Sequence, residues 1–230
     1  MNSNDRTGEE IMFDSTIITM LLEGIRDTLY MTLASTLLGY VFGLPMGILL
    51  TVTDKDGIKP NAMLYKVMDV IINMVRSVPF LILLILLIPF TRFIVGKAYG
   101  STATIVPLVV AAAPYIARMV ESSLKEVDSG VIEAARSMGA SNWDIIFKVM
   151  LVEARTSLIV GATISIGTIL GYSAMAGAVG GGGLGNIAVQ YGYQRWQADI
   201  MFVTVALLIL LFQIFQTIGM KLASNLDRRK

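Results

Sequence analysis

The stretch TSLIVGATISIGTILGYSAMAGAVGGGGLGNIAVQYGYQ, residues 156–194, decides the fold, because its 39 residues include no Asp, Glu, Lys or Arg. As one helix it would run roughly 58 Å at 1.5 Å per residue, about twice the ~30 Å hydrocarbon core of a bilayer. It must break, and Gly177, Gly180, Gly181, Gly182, Gly183 and Gly185 mark the place. Glycine at that density costs ~1 kcal/mol per helical position relative to alanine. A span over 156–176 followed by a flexible glycine loop is therefore expected. The run also satisfies G-x-G-x-x-G at 180, 182 and 185. A dinucleotide fold is excluded, since a long apolar run precedes the glycines instead of a short strand.

Outward from this stretch, the other charge-free runs are 28–53, 77–91, 98–117 and 200–220, with 26, 15, 20 and 21 residues. About 20 helical residues cross a membrane, so all but 77–91 span unaided. That run reaches spanning length by taking in 67–75, which places Arg76 inside the segment. The fold class is thus all-α, a polytopic membrane protein of about five transmembrane helices. Composition agrees, with 55% apolar and 15% charged residues against about 45–50% and 25% in soluble domains. Residues 1–24 form an acidic outer segment, with an amphipathic surface helix expected from Ile11 to Ile25 and capped by Asp14 or Ser15. The membrane domain covers 25–219, and 220–230 is a basic tail.

Orientation follows from lysine and arginine. With the N-terminus outside, the inner segments hold twelve (Lys55, Lys59, Lys66, Arg118, Lys125, Arg136, Lys148, Arg155, Lys221, Arg228, Arg229, Lys230) and the outer ones five. The C-terminus is then cytoplasmic.

Several function classes drop out. Without cysteine or histidine there is no thiol nucleophile, no thiolate metal site and no imidazole base. No carboxylate lies deep in a span, which disfavours a proton relay or coupling to an ion gradient. A net charge of +1 argues against nucleic acid as a partner. No G-x-x-x-x-G-K-[ST] occurs, so energy must come from elsewhere. Arg76, near carbonyls freed by Pro79, is a pathway candidate or a snorkelling residue. Tyr172, Ser173 and Met175 offer a mixed polar and polarizable lining, or simple packing. Gly39, Gly43 and Gly47 present a bare helix face to a neighbouring helix or to another subunit.

The segment DSGVIEAARSMGASNWDIIFKVMLVEA, 128–154, has helical structure of its own. Asp128 or Ser129 caps a short helix over 131–138, Gly139 supplies a left-handed stop, and Ser141 with Asp144 is spaced as a capping box. Eight residues do not hold a helix alone in water, so this one must dock.

Glu133, Ala134, Ala135 and Gly139, followed by Val149-x-Leu151, resemble the EAA motif of permease subunits in ATP-binding-cassette importers. The strings RSVPFLILLILLIPFTRFIVG (76–96), APYIARMVE (113–121) and GYSAMAGAVGGGGLGNIAVQYGY (171–193) look like methionine-importer permeases. The resemblance implies a type 1 importer domain in a bacterial inner membrane, with those four residues docking as a coupling helix on a cytoplasmic ATPase. It implies as partners a second copy of the chain, two ATPase subunits holding ATP and Mg, an external solute-binding protein, and an amino-acid cargo, methionine. The chain itself would be no enzyme and hold no cofactor. The outer glycines, 180–183 and 185, would gate the pathway or meet the binding protein. Other small solutes, or a passive pore, are the alternatives. The family pattern ends in Leu-Pro, whereas Val152 follows Leu151 here, so a more continuous helix is expected after the motif.

Overall fold

The computed structural model describes residues 15–226, and every regular element among them is helical. The acidic stretch before Ser15, including Asp14 and the start of the expected surface helix, and the tail residues 227–230 lie outside the described residues. In chain order the main helices are α1 (Ser15–Thr53), α2 (Ala62–Ser77), α3 (Phe80–Leu86), α4 (Ile88–Val95) and α5 (Ser101–Lys125). They continue as α6 (Ser129–Ser137), α7 (Asn142–Asp144), α8 (Leu151–Glu153), α9 (Arg155–Ala176), α10 (Gly183–Ile187) and α11 (Ala198–Leu226). Four stretches are long and apolar enough to cross a membrane: Ser15–Thr53, Ser101–Lys125, Arg155–Tyr193 and Ala198–Leu226. Ala62–Ser77 with Phe80–Leu86 makes a fifth if the pair, bent by 99°, counts as one span. The bend sits at Val78–Pro79, where Val78 is extended (φ −80°, ψ 124°), as the ring of a following proline requires.

The chain divides into two compact units. One takes residues 15–34, Leu81–Leu108 and Ile169–Ile214. Its core is Leu184, Ile187 and Ile200, with Ile17, Met20, Leu21 and Ile25 packed against them. This packing corrects the expected separate surface helix: from Ser15 onward those residues belong to the same 39-residue helix as the first span. No proline interrupts 15–27, and Gly24 lets α10 come so close that a Cβ there would meet Ile187 Cδ1 at 2.4 Å. Apolar residues that find protein to bury against have no reason to lie on the membrane surface.

The other unit takes Ser35–Phe80, Val109–Thr168 and 215–226. Here the glycine face of α1 is filled from within the chain. A Cβ on Gly43 would stand 2.6 Å from the Ala113 carbonyl oxygen, and one on Gly47 2.6 Å from that of Ala117. The two helix backbones touch at these points, as small-residue interfaces in membranes allow. Leu50, Ile72 and Ala117 close a small core joining α1, α2 and α5.

Candidate functional site

The docking segment begins where Asp128 turns the chain. Its backbone is extended and its Oδ1 accepts from the Gly130 N–H at 2.6 Å, so α6 starts at Ser129, two residues before the expected Val131. Its other end is a Schellman closure. The Gly139 N–H donates to the Arg136 carbonyl (3.0 Å) and the Ala140 N–H to the Ala135 carbonyl (3.1 Å), with Gly139 at φ +84°. Glycine takes that conformation without strain, asparagine tolerates it, and a Cβ there would meet nothing of the chain within 4 Å.

The four motif residues do not share one face. Glu133, Ala134 and Gly139 are exposed, whereas Ala135 is buried at 6%. Ala135 therefore packs against its own chain in this subunit. Arg136, itself exposed, also reaches its own chain, its Nη2 donating to the Ile58 carbonyl at 3.1 Å. What the motif omits is apolar. Met138 is 82% exposed and Trp143 71%, and Trp143 stacks on Phe147 with centroids 5.1 Å apart and planes 12° from parallel. Sequence reading passed over these residues; the signal was available as large apolar side chains, two of them one turn apart, in a stretch otherwise polar. Exposed aromatic and methionine side chains of this kind are what interface anchors are made of.

After α6 the Ser141–Asp144 capping box is formed, with both reciprocal bonds present. The Lys148 ammonium, 2.5 Å from Asp144, and then the Ser141 hydroxyl lower the Asp144 pKa to about 2. A π-helical turn, Ile145–Met150, leads into α8, and Ala154 alone separates α8 from α9. Hydrogen bonds pass straight through it, from the Ala154 N–H to Met150 (2.9 Å) and from the Leu158 N–H to Ala154 (2.8 Å). Val152, unlike a proline, retains the backbone donor that such continuity needs.

The glycine run of the other unit is a packed reversal, which corrects the expectation of a flexible loop. A short 3₁₀ turn, Gly177–Val179, leads into Gly180, Gly182 and Gly183, all at positive φ (81°, 84° and 72°). The chain then doubles back as α10. A Cβ on Gly185 would stand 2.1 Å from the Ala174 carbonyl oxygen, and one on Gly177 2.2 Å from the Asn186 nitrogen. Distant residues fasten the turn. The Gly100 N–H donates to the Gly180 carbonyl (2.9 Å) and Thr104 Oγ1 to that of Gly181 (3.3 Å). The Leu184 N–H donates to Thr28 Oγ1 (2.9 Å).

Beside this turn, Met175 is 53% exposed and Tyr172 half-buried. Ser173 is buried at 1%, its hydroxyl donating to the Leu170 carbonyl at 2.8 Å, so it serves its own helix. Arg76 and Pro79 belong to the other unit, where both are exposed at the end of α2 and the following bend. Among the described residues no group of His, Cys, Asp or Glu is arranged to hold a metal.

Comparison with known proteins agrees along nearly the whole chain. A family model described as binding-protein-dependent transport system inner membrane component matches residues 18–230. The probable D-methionine transport system permease protein MetI of Vibrio cholerae is 46% identical over 210 residues, covering 91% of this chain and 93% of its own. The methionine import system permease protein MetP of Bacillus subtilis is 44% identical over 220 residues, 96% of this chain and 99% of its own. Among solved structures, the MetNI methionine ABC transporter in inward-facing conformations superposes with a TM-score of 0.92 at 47% identity, over 94% of this chain and all of that one (100%).

Proposed function

The chain belongs to the family of binding-protein-dependent transport system inner membrane components, and on that premise we propose that two copies of it form the translocation pathway of an ATP-driven methionine importer. Five spans cannot hold the paired repeats with which single-chain carriers alternate access, so the second copy supplies the other half. The lysine and arginine asymmetry puts the N-terminus outside and α6 in the cytoplasm. There Glu133, Ala134, Met138 and Gly139, with Trp143 beside them, face an ATPase subunit on each copy. ATP and Mg belong to those subunits, and this chain performs no hydrolysis. Closure of the ATPases pushes α6 and rocks the spans between inward-open and outward-open states. In the unit that holds the glycine turn, Tyr172 and Met175 line the pathway. The glycine turn receives the external binding protein.

The observation that supports the cargo is that relatives named for methionine transport match this chain nearly end to end. The test is uptake of labelled methionine by the complex reconstituted with its ATPase and binding protein, challenged by unlabelled amino acids. Methionine should compete and require ATP. Lack of competition by methionine removes the cargo assignment, and flux without ATP removes the drive.

A further inference from the structure

The inner half of α5 carries a buried carboxylate that the docking segment does not use. Glu121 is 4% exposed and meets two cations and a phenol. Arg118 Nη1 donates to its Oε2 at 2.7 Å, Lys125 Nζ lies 2.9 Å from its Oε1, and the Tyr65 hydroxyl donates to the same Oε1 at 3.2 Å. Each cation then reaches a different element. Arg118 Nη2 donates to Asp69 and, at 3.1 Å, to Asn73, both on α2. Lys125 pairs with Asp54, just past the end of α1, at 2.6 Å and sits 5.7 Å over the Tyr65 ring. Three carboxylates and two cations thus form one chain across three helices, with Glu121 at its centre.

Such a cluster is a poor way to gain stability, because apolar residues of the same volume would hold three helices with no desolvation cost. Its geometry suits directional transmission better. Lys125 is the last residue of α5, four positions before α6 begins. The connector from Asp54 to Asn61 is itself held tightly, with the Lys59 N–H on the Val52 carbonyl (3.0 Å) and the Asn61 N–H on that of Thr53 (2.9 Å). Arg136 of α6 holds the same connector through Ile58. Lys125, just before α6, and Arg136, within it, are thus both tied to the connector that leads into α2, and α2 ends at Ser77, just before the Val78–Pro79 bend.

We infer that the chain Asp54–Lys125–Glu121–Arg118–Asp69 transmits displacement of α6 to α2, with Glu121 as the positioning residue that couples ATP hydrolysis to transport. The inference rests on the docking of α6 proposed above. Glu121→Gln leaves each cation one carboxylate, so the helices stay together, yet it weakens the bridge between them.

The experiment compares wild type, Glu121→Gln, Asp69→Asn and Asp69→Glu in the reconstituted complex, reading ATPase activity and methionine uptake on the same vesicles. Uptake per ATP should fall about tenfold in Glu121→Gln and Asp69→Asn, within the ordinary range of coupling free energies. ATPase activity and subunit composition should hold, and Asp69→Glu should restore the ratio. An unchanged ratio overturns the inference, as does a parallel fall of both activities in an intact complex, which marks a merely structural cluster. If Glu121→Gln does not assemble, Asp69→Asn decides, since Asp69 is 31% exposed and outside the buried centre. The docking reading fails separately, when disruption of the α6 stop at Gly139 leaves uptake intact whatever the Glu121 variants do.

Discussion

Gly139 offers a perturbation whose size can be worked from geometry alone. Its φ is +84° and a Cβ would touch nothing of its own chain within 4 Å, so within the subunit the cost of substitution comes from the backbone and not from crowding. An L-residue in the left-handed region loses roughly 1–2 kcal/mol, more when β-branched, while asparagine tolerates it. α6 has nine residues, too few to stay wound without its caps and a partner. A loss of ~1 kcal/mol in Gly139→Ala lowers the wound population about fivefold, and ~2 kcal/mol in Gly139→Val about thirtyfold. Gly139→Asn should lie near wild type. The assay is ATP-driven methionine uptake in vesicles, with membrane insertion of the chain measured in parallel and expected to be equal throughout. The expected order is glycine, asparagine, alanine, valine. Valine equal to glycine, or alanine above asparagine, would refute the claim that a left-handed stop shapes the docking segment.

Other consequences are as direct. Gly43→Val places a side chain where the α5 backbone already stands, 2.6 Å from a Cβ, and should cost about 1–3 kcal/mol, read as a lower unfolding midpoint in detergent; an unchanged midpoint contradicts the close helix contact. Trp143→Ala removes a 71% exposed ring and should weaken ATPase co-purification by ~2 kcal/mol if the ring is an anchor, with insertion unaffected. The Asp144 carboxyl, held near 2 against an ordinary 3.8 by Lys148 and Ser141, contributes stability that is present above the ordinary value and lost as pH falls through about 2. Protection against hydrogen exchange at the Asp144 amide, measured relative to the intrinsic rate at each pH, should therefore fall between about pH 4 and pH 2, and Asp144→Asn should flatten that dependence.

Much of this architecture is legible because charge is expensive in lipid, so gaps between charged residues outline the spans. The caps of α6 and the Ser141–Asp144 box are legible for the opposite reason, since their partners lie within a few residues. What sequence reading missed depends on distant residues. The first helix extends back to Ser15 because Leu184, Ile187 and Ile200 await it, more than 150 positions away. The glycine run packs instead of flexing because Thr28, Gly100 and Thr104 fasten it. Ala135 turns inward because only one side of a nine-residue helix can be free, and nothing local says which. Ser173 looks like pathway lining by residue type, yet its hydroxyl is taken by Leu170.

The central claim, that α6 and its apolar neighbours meet an ATPase subunit, is tested most directly by labelling. The chain has no cysteine, so Met138→Cys introduces a single thiol at a position 82% exposed in the isolated subunit. In membranes the account predicts rapid modification by a water-soluble maleimide when the permease is expressed alone, and strong protection when the ATPase is co-expressed. Equal labelling with and without the ATPase, in vesicles where ATP still drives methionine uptake, would contradict it.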